Sequence, residues 1–291
     1  SFELRDASYL WGKTTKETFK ILEKDLGKDF SFVCIGPAGE NLVRYACIMG
    51  GYGNAAGRGG LGAVMGSKML KAIAVKGEGK PKIADEKGLV KALKNFRARI
   101  SWNPILDKAL AYYGTSALVN LINEHRIFPT KNFQLSRFEN AEKISGESLR
   151  EKIFVKRKSC YNCPVGCKRV TKTSKDDGEG PEFETLGAFG SMLLIDDIEA
   201  VAEINYLCNS LGLDTISTGG TIACAIELSE KGLLDEKIRW GDVERVKRLI
   251  VEIAYKKGLG RWLAEGSKIF SEKFGYVEAA MQVKGLELPM Y

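Results

Sequence analysis

Apolar residues recur with helical spacing over most of the chain after residue 85. This period predicts amphipathic helices. One further helix, from Thr14 or Thr15 to Leu26, is predicted near the start of the chain. The later predicted helices cover residues 86–100, 105–113, 115–123, 147–153, 240–257 and 263–274, a segment capped by Asp196 or Asp197 that runs through Cys208, and a segment from Ser217 or Thr218 through Glu230.

Shorter apolar runs with strand character lie before residue 80. They cover residues 30–35, 42–48 and 71–75, and glycine-rich segments separate them. The segment GEGKP at 77–81 has the composition of a linker. We therefore predict an α+β fold with two parts: a β-rich domain over residues 1–80 and a mainly α-helical domain over residues 81–291.

The composition is that of an ordinary globular protein. Of 291 residues, 44% are hydrophobic and 28% are charged. The formal net charge of +7 comes from basic residues dispersed along the chain, so we expect neither a nucleic-acid nor a membrane partner. No apolar run approaches the length that crosses a bilayer, and the first residues lack the pattern of a signal peptide. These features predict a cytoplasmic protein.

Residues 53–68 read GNAAGRGGLGAVMGSK, a glycine-dense loop that also carries an arginine and a lysine. Glycine permits φ > 0 and close approach to the main chain, so this composition is typical of a cradle for an anion such as phosphate. Gly57, Gly59 and Gly62 form a formal G-x-G-x-x-G motif. However, segment 49–54 before it is loop-like, and too few residues follow for a crossover helix. A nucleotide, another anion, and a turn without ligand are all compatible with these residues.

The sequence contains seven cysteines and a single histidine. Cys160, Cys163 and Cys167 follow a C-x2-C-x3-C spacing, with which one loop can place three thiolates around one metal centre. The pattern favours a 4Fe–4S cluster with a distant fourth ligand; zinc and three unligated thiols are the alternatives. Basic residues at 156–158 and 168–169 would compensate a cluster's negative charge and receive an acidic electron-transfer protein. The other cysteines lie in apolar segments and are expected to be buried and inert: Cys34, Cys47, Cys208 and Cys224.

Four segments, taken together, resemble one family, the tungsten-containing aldehyde ferredoxin oxidoreductases. They are IGPAGENLVR at 35–44 with AAGRGGLGAVMGSK at 55–68 and LKAIAV at 70–75, the cysteine segment at 160–167, GPEFETLG at 180–187, and CNSLGLDTISTG at 208–219. The resemblance implies that the β-rich part is the end of the family's N-terminal pterin-binding domain. The helical part then matches the family's middle domain.

The resemblance also implies a cofactor: tungsten, or molybdenum, held by the dithiolenes of two pyranopterins whose phosphates are bridged by magnesium. In the family, main-chain groups of the glycine-rich loop meet the magnesium and phosphate, and the Gly-Leu-Asp segment hydrogen-bonds one pterin. The cofactor-binding residues expected in the loop are Asn54, Ala55, Ala56, Gly57, Arg58, Gly59 and Gly60. Those expected in the second segment are Asn209, Gly212, Leu213 and Asp214. Both sets suit these uses, since carbonyl oxygens bind magnesium and a carboxylate accepts hydrogen bonds from pterin N–H groups.

The activity that the resemblance implies is oxidation of an aldehyde to a carboxylic acid with water. Two electrons would pass from tungsten through the 4Fe–4S cluster, ligated by Cys160, Cys163 and Cys167, to ferredoxin. Glu184, with Glu182 as the alternative, would carry the proton if burial raises its pKa. The competing interpretation is that both glutamates are structural or cap the helix that follows them.

This chain departs from the family pattern at three places. Asn54 stands where the family often has arginine, and Asn209 stands where a member carries aspartate. The chain also opens and stops inside recurring segments, so we expect an incomplete part that is inactive alone. The missing C-terminal domain would supply the fourth cluster ligand, and the protein partner is expected to be a second copy in a homodimer or a companion subunit. The alternative hypotheses are an iron–sulfur electron-transfer partner subunit without its own tungsten site, and a nucleotide-dependent enzyme.

Overall fold

The fold, described by a computed structural model over residues 2–290, combines α-helices with small antiparallel sheets. The predicted α+β class is therefore confirmed. The helices are α1 (Thr15–Leu26), α2 (Pro37–Glu40), α3 (Leu61–Ser67), α4 (Glu86–Trp102), α5 (Ala111–Tyr113), α6 (Leu118–Glu124), α7 (Gly146–Lys152), α8 (Phe183–Thr185), α9 (Ile198–Leu211), α10 (Thr215–Glu230), α11 (Val243–Ala254), α12 (Gly260–Leu263) and α13 (Ser267–Phe274). The strands are β1 (Ser31–Ile35), β2 (Ile48–Gly50), β3 (Asn54–Ala56), β4 (Ala72–Val75), β5 (Phe154–Lys158), β6 (Lys168–Lys172), β7 (Asp177–Glu179), β8 (Gln282–Val283) and β9 (Leu286–Glu287).

Short 3-10 and π-helical segments complete the secondary structure. They are Ser8–Leu10, Ile105–Leu110, Thr115–Ala117, Ala141–Ile144, Leu186–Ser191 and Val277–Ala279. Over the residues that the structure describes, every helix is too short or too polar to span a membrane.

The first sheet is antiparallel and has the strand order β3-β2-β1-β4. Val33 at its centre pairs with Gly50 of β2 on one side and with Ile73 of β4 on the other. One face packs on α1 through a small apolar core made of Leu10, Phe19, Leu22, Phe32, Cys34, Cys47 and Met49. The strand β3 lies at the edge of this sheet, and within residues 2–290 no strand pairs with its outer side.

The helix α1 begins where its local sequence predicts. The Thr14 hydroxyl accepts from the Glu17 amide at 3.2 Å, and the Glu17 carboxylate accepts from the Thr14 amide at 2.8 Å. This capping box satisfies two amide groups that the helix cannot pair internally. Gly27, with φ of +99°, ends the helix. Its apolar face, including Phe19 and Leu22, is buried against the sheet.

A buried ion pair joins α2 to the segment that leads into β4. Lys71 is only 2% exposed, its ammonium contacts the Glu40 carboxylate, and it also donates to the Lys13 carbonyl at 2.9 Å. The other Glu40 oxygen accepts from the Gly12 amide at 2.8 Å. A buried charge of this kind is tolerated only when it is paired and hydrogen-bonded.

We expect the substitution Lys71→Met to destabilise the complete protein by about 3–5 kcal/mol, because it leaves the Glu40 carboxylate buried without its cation. The measurement is denaturant-induced unfolding. The matched control is Lys76→Met, which breaks the exposed pair with Asp29 and should cost less than about 1 kcal/mol. Equal costs for the two substitutions would show that the buried pair has no special role.

A second antiparallel sheet, in the order β5-β6-β7, was not predicted from the sequence. In its register Lys158 pairs with Lys168, and Val170 pairs with Glu179. The strands β5 and β6 are rich in lysine and arginine, and β7 is the short run Asp-Gly-Glu, so all three lack the β-branched alternation that marks a strand. The cysteine-containing loop, residues 159–167, is the connection between β5 and β6. The two ends of this loop are therefore held together by a strand pair.

The turn between α9 and α10 is attached to the chain segment just before β2. Gly212 ends α9 in the left-handed conformation at φ of +76°, and Asp214 caps α10. The Cys47 amide donates to the Gly212 carbonyl at 2.8 Å, and the Asp214 amide donates to the Tyr45 carbonyl at 3.1 Å. These main-chain bonds fix the turn beside the first sheet. Here the β-rich and helical parts of the chain meet.

Most predicted helices are confirmed, with bounds shifted by a few residues, and three predictions are wrong in detail. Residues 42–47 form turns instead of a strand, since Leu42 takes a left-handed φ of +57° that breaks an extended run. The helix α10 begins at Thr215, because Asp214 caps it in place of a later hydroxyl group. The predicted helix 263–274 divides into α12 and α13 around Gly266, which has φ of +86°.

The predicted division of the chain at residue 80 coincides with an irregular, exposed segment, residues 76–84. However, Val43, Tyr45 and Ala46 from the first part pack into the large apolar core built mainly by α9, α10 and α11. The two-domain division therefore stays a prediction.

Candidate cofactor pocket and active site

The predicted site segments converge on one cavity of about 210 Å³. It lies where the glycine-rich loop, the segment leading into α8 and the α9–α10 turn meet. The predicted residues that line it are Ala55, Gly57, Glu182, Glu184, Asn209, Leu213 and Asp214. Three segments that are far apart in sequence thus form a single pocket, as expected for a small-molecule or cofactor site.

The glycine-rich loop presents main-chain groups at the edge of the first sheet. Ala55 of β3 pairs with Met49 of β2 on one side only, and the exposed residues of this strand are Asn54, Ala55 and Ala56. At Gly59, with φ of +91°, a Cβ atom would meet open space. At Gly60, with φ of +74°, it would lie 2.1 Å from the Arg44 carbonyl oxygen. The loop therefore packs tightly against Arg44 at Gly60, whereas at Gly59 there is space for a ligand. This arrangement fits a cofactor cradle.

The loop lacks the surroundings of a dinucleotide-binding motif. Segment 49–54, expected to be loop-like, instead carries part of β2 and the start of β3, joined by a turn. The helix α3 that follows has seven residues, and β4 pairs with β1 in an antiparallel manner. A dinucleotide fingerprint requires a parallel βαβ unit. This arrangement does not support the nucleotide hypothesis.

Two predicted cofactor residues, Arg58 and Asp214, contact each other. The guanidinium Nη1 lies 3.3 Å from Oδ2 of Asp214, and the same guanidinium donates to the Glu287 carbonyl. Asp214 also accepts from the amides of Ile216, at 3.1 Å, and Ser217, at 3.3 Å. Burial raises the pKa of Asp214, while Arg58 and the capping bonds act in the opposite direction. Much of its acceptor capacity is thus used within the protein, and its pterin contact stays a prediction.

The remaining residues of the second cofactor segment form the turn itself. The Leu213 amide donates to the Cys208 carbonyl at 2.9 Å, and Leu213 forms an antiparallel bridge with Ala46. The Asn209 carbonyl accepts from the Thr15 hydroxyl at 2.8 Å. Asn209 and Leu213 line the cavity, while Gly212 supplies the turn that aims them there.

Both candidate proton carriers line the cavity, and burial raises the pKa of each. Glu184 accepts from the Met290 amide at 2.9 Å, which together with Arg58 limits the rise. Glu182 accepts from the Thr115 hydroxyl. Glu182 also occupies the N-cap position of α8, but its side chain makes no capping bond. The helix-cap interpretation is therefore unsupported for Glu182, and the proton-carrier role of Glu184 stays a prediction.

The three clustered cysteines lie on one tight loop. Cys160 is exposed, while Cys163 and Cys167 are partly buried. The amides of Val165 and Gly166 hydrogen-bond the Cys163 sulfur, and these bonds lower the pKa of that thiol. Burial raises the pKa of Cys167. Amide groups aimed at sulfur are the kind of contact that stabilises thiolate ligands.

Across residues 2–290, the structure brings no three histidine, cysteine or acidic side chains into an arrangement ready to hold a metal ion. The donor chemistry of the loop nevertheless fits a cluster, since three thiols and two sulfur-directed amides share one short segment. Cluster binding by Cys160, Cys163 and Cys167 stays a prediction. The other four cysteines are buried, as predicted.

Several cavity residues were missed in the sequence. They are Cys47, Lys168, Glu179, Thr185, Asn205 and Thr215. Lys168 directly follows the last clustered cysteine, and Glu179 directly precedes the GPEFETLG segment, so proximity to a recognised motif was the available signal. The basic residues beside the cysteines were expected to compensate a cluster. In the structure Lys158 and Lys168 pair with Glu179, and Arg169 donates to four main-chain oxygens.

Both parts of the chain match known family profiles. Residues 1–77 match the profile described as "Aldehyde ferredoxin oxidoreductase, N-terminal domain", and residues 91–291 match "Aldehyde ferredoxin oxidoreductase, domains 2 & 3". These two matches place the chain in an oxidoreductase class. The chain belongs to the aldehyde ferredoxin oxidoreductase family.

The sequence identity to individual relatives ranges from 31% to 47% among those described below. The chain is 47% identical to the tungsten-containing aldehyde ferredoxin oxidoreductase of Thermococcus kodakarensis and 46% identical to that of Pyrococcus furiosus. Each alignment covers 99% of this chain and 49% of the relative, so the chain spans about half the length of these curated relatives. It is 31% identical to the WOR-like subunit of an aliphatic sulfonate oxidoreductase from Pyrococcus furiosus.

A solved structure has a similar fold. It is the active site complex BamBC of benzoyl coenzyme A reductase in complex with 1,5-dienoyl-CoA. The TM-score is 0.82 at 27% sequence identity, over 98% of this chain and 46% of the matched chain.

Proposed function

We propose that the complete protein oxidises an aldehyde to its carboxylic acid with water, electrons passing from a tungsten or molybdenum bis-pyranopterin through a 4Fe–4S cluster to ferredoxin. The observation that carries the proposal is the convergence on one cavity of an open main-chain cradle, the Asp214 turn, and two carboxylates whose pKa values burial raises. Sequence identity of 46–47% to tungsten-containing aldehyde ferredoxin oxidoreductases supports the substrate class.

The glycine-rich loop and the α9–α10 turn would form the cofactor half of the pocket. The exposed edge of β3, with Ala55 at its centre, offers carbonyl oxygens that suit magnesium. Arg58, a residue of the loop itself, is partly exposed and can attract phosphate. Asp214, held by Arg58 and by the start of α10, would orient the pterin ring by accepting a hydrogen bond from one of the pterin N–H groups. This chain thereby binds and positions the cofactor.

Glu184 would act as the proton carrier. Addition of water oxygen to an aldehyde carbon, with loss of two electrons, yields the acid and releases two protons. A carboxylate in the cavity wall can accept one of them if it is ionised and close to the reacting oxygen. Glu184 is half-buried, and its hydrogen bond to the Met290 amide at 2.9 Å fixes its orientation. Glu182 is the alternative, held by Thr115 on the same wall.

Two other functions agree less well with the observations. Reduction of benzoyl coenzyme A, the reaction named for the BamBC complex, is suggested by only 27% identity, well below the 47% identity to an aldehyde enzyme. An electron-transfer subunit without its own metal–pterin site would have no use for the open cradle or for carboxylates in a cavity. The cavity therefore favours an enzyme.

The test is anaerobic purification of the complete protein that contains this chain, followed by iron, tungsten, molybdenum, zinc, acid-labile sulfide and pterin analysis. About four iron atoms with tungsten or molybdenum and pterin, and aldehyde-dependent reduction of ferredoxin, are the expected results. Iron and sulfide without tungsten, molybdenum or pterin would replace the proposal with the electron-transfer subunit. Zinc alone would overturn both.

A further inference from the structure

Two lysines and one glutamate close the base of the cysteine loop. Lys158 is the last residue of β5, Lys168 is the first residue of β6, and the two lie opposite each other in the sheet. Glu179, the last residue of the third strand β7, contacts both ammonium groups. Its Oε1 pairs with Lys158, and its Oε2 lies 3.6 Å from the nitrogen of Lys168. We call these three side chains the Glu179 clasp.

The carboxylate of the clasp is buried and specifically placed. Glu179 is only 8% exposed, and among the described residues its Oε2 accepts no hydrogen bond. The ion pair with Lys168 is therefore the main interaction that offsets the burial of this oxygen. Gly53, in the turn before β3, packs directly on it, since a Cβ atom there would lie 2.5 Å from Cβ of Glu179. The Glu179 carbonyl also accepts from the Asn205 amide group at 2.8 Å. Contacts from the first sheet and from α9 thus hold the residue in place.

The clasp also reaches the cofactor half of the pocket. Lys168 and Glu179 both line the cavity. The Lys168 ammonium contacts the side-chain oxygen of Asn54, at the start of the exposed edge strand β3. One chain of polar contacts therefore runs from both ends of the cysteine loop to the edge of the glycine-rich loop. Neither the cysteine spacing nor the family resemblance assigned a role to Glu179.

We propose that Glu179 is a positioning residue that fixes the cysteine loop against the cofactor pocket and, through its charge, lowers the reduction potential of the cluster held there. This inference rests on the proposed function, because it requires a cluster at the loop. A negative charge near a cluster disfavours the added electron, so charge in the protein shifts the potential. The positive charges of Lys158 and Lys168 raise the reduction potential of the cluster.

The test is a redox titration of the complete, anaerobically purified protein, followed by the electron paramagnetic resonance signal of the reduced cluster. Glu179→Gln should raise the reduction potential, and Lys158→Gln should lower it, with iron content retained. The matched control is Glu203→Gln. Glu203 on α9 is also nearly buried between two lysines, Lys175 and Lys247, but these do not flank the cysteine loop. The control should leave the potential close to that of the wild type.

Opposite shifts in the first two variants, both larger than in the control, would support the proposal. Shifts no larger than in Glu203→Gln would overturn the effect of Glu179 on the potential. Loss of iron from both clasp variants would overturn it too and would leave only the positioning role. If Glu179→Gln alone fails to assemble a cluster, Lys158→Gln decides. A reduction potential lowered by more than in Glu203→Gln would support the proposal, and an unchanged or raised potential would overturn it. Absence of iron and sulfide from the wild-type protein would instead overturn the proposed function, and the clasp's redox role with it.

Discussion

Replacement of Glu184 by glutamine is expected to reduce aldehyde oxidation by about 10²–10⁴-fold in the complete, cofactor-loaded protein. Glutamine keeps the size of the side chain and can still accept from the Met290 amide, but it cannot take up a proton. The measurement is kcat for aldehyde-dependent ferredoxin reduction, with metal and pterin content determined on the same sample. Content should be unchanged, which separates lost chemistry from lost cofactor.

The pH profile gives a second readout of the same substitution. Burial raises the pKa of Glu184, with the Met290 amide and Arg58 acting against the rise. A proton acceptor must be ionised, so activity should fall as the pH decreases through that pKa. The Glu184→Gln variant should lack this limb of the profile.

The matched control is Glu182→Gln, which changes the other carboxylate of the same cavity wall. If Glu182→Gln shows the larger loss and Glu184→Gln keeps the acid limb, the proton-carrier assignment moves to Glu182. If neither variant loses more than a few-fold, both glutamates are structural.

Substitution of Cys163 by alanine is expected to abolish the 4Fe–4S signal and the cluster's iron and acid-labile sulfide. Cys163 is the middle thiol of the loop and the one whose sulfur receives the amides of Val165 and Gly166. Removal of one ligand of a cluster leaves an open iron site that is prone to loss. Reduction of ferredoxin should fall with it, while tungsten or molybdenum and pterin remain, because the proposed cofactor segments at 54–60 and 209–214 lie outside the cysteine loop.

Cys224→Ala provides the comparison for this loss. Cys224 is buried within α10, outside the cysteine loop, and burial raises its pKa, as for an inert thiol. The variant should keep its iron and sulfide. Unchanged iron in Cys163→Ala, or equal loss in both variants, would contradict the assignment of the loop as the cluster site.

Local features predicted much of the architecture because their causes are local. The capping box of Thr14 and Glu17 fixes the start of α1, and Gly27 fixes its end. The clustered cysteines lie within eight residues, so their shared loop follows from spacing alone. The buried state of Cys34 and Cys208 likewise follows from the apolar runs around them.

The second sheet could not be predicted in the same way. Residues 154–158 and 168–172 are rich in basic side chains, and as isolated segments they favour no strand. They become strands because they pair with each other and because β6 also pairs with β7, contacts that only the folded chain makes. The strand predicted at 42–48 was wrong for a related reason: its apolar residues are buried by the helical core without sheet pairing.

The sequence by itself determined the chemical parts of this protein: a glycine-rich cradle, three clustered thiols, and the glutamates of the GPEFETLG segment. Tertiary structure alone decided which of these parts meet. Arg58 and Asp214 are 156 residues apart and form an ion pair, and Glu179 pairs with Lys158 and Lys168. Such contacts join segments that carry no local signal for one another, because only the packing of the complete fold brings these segments together.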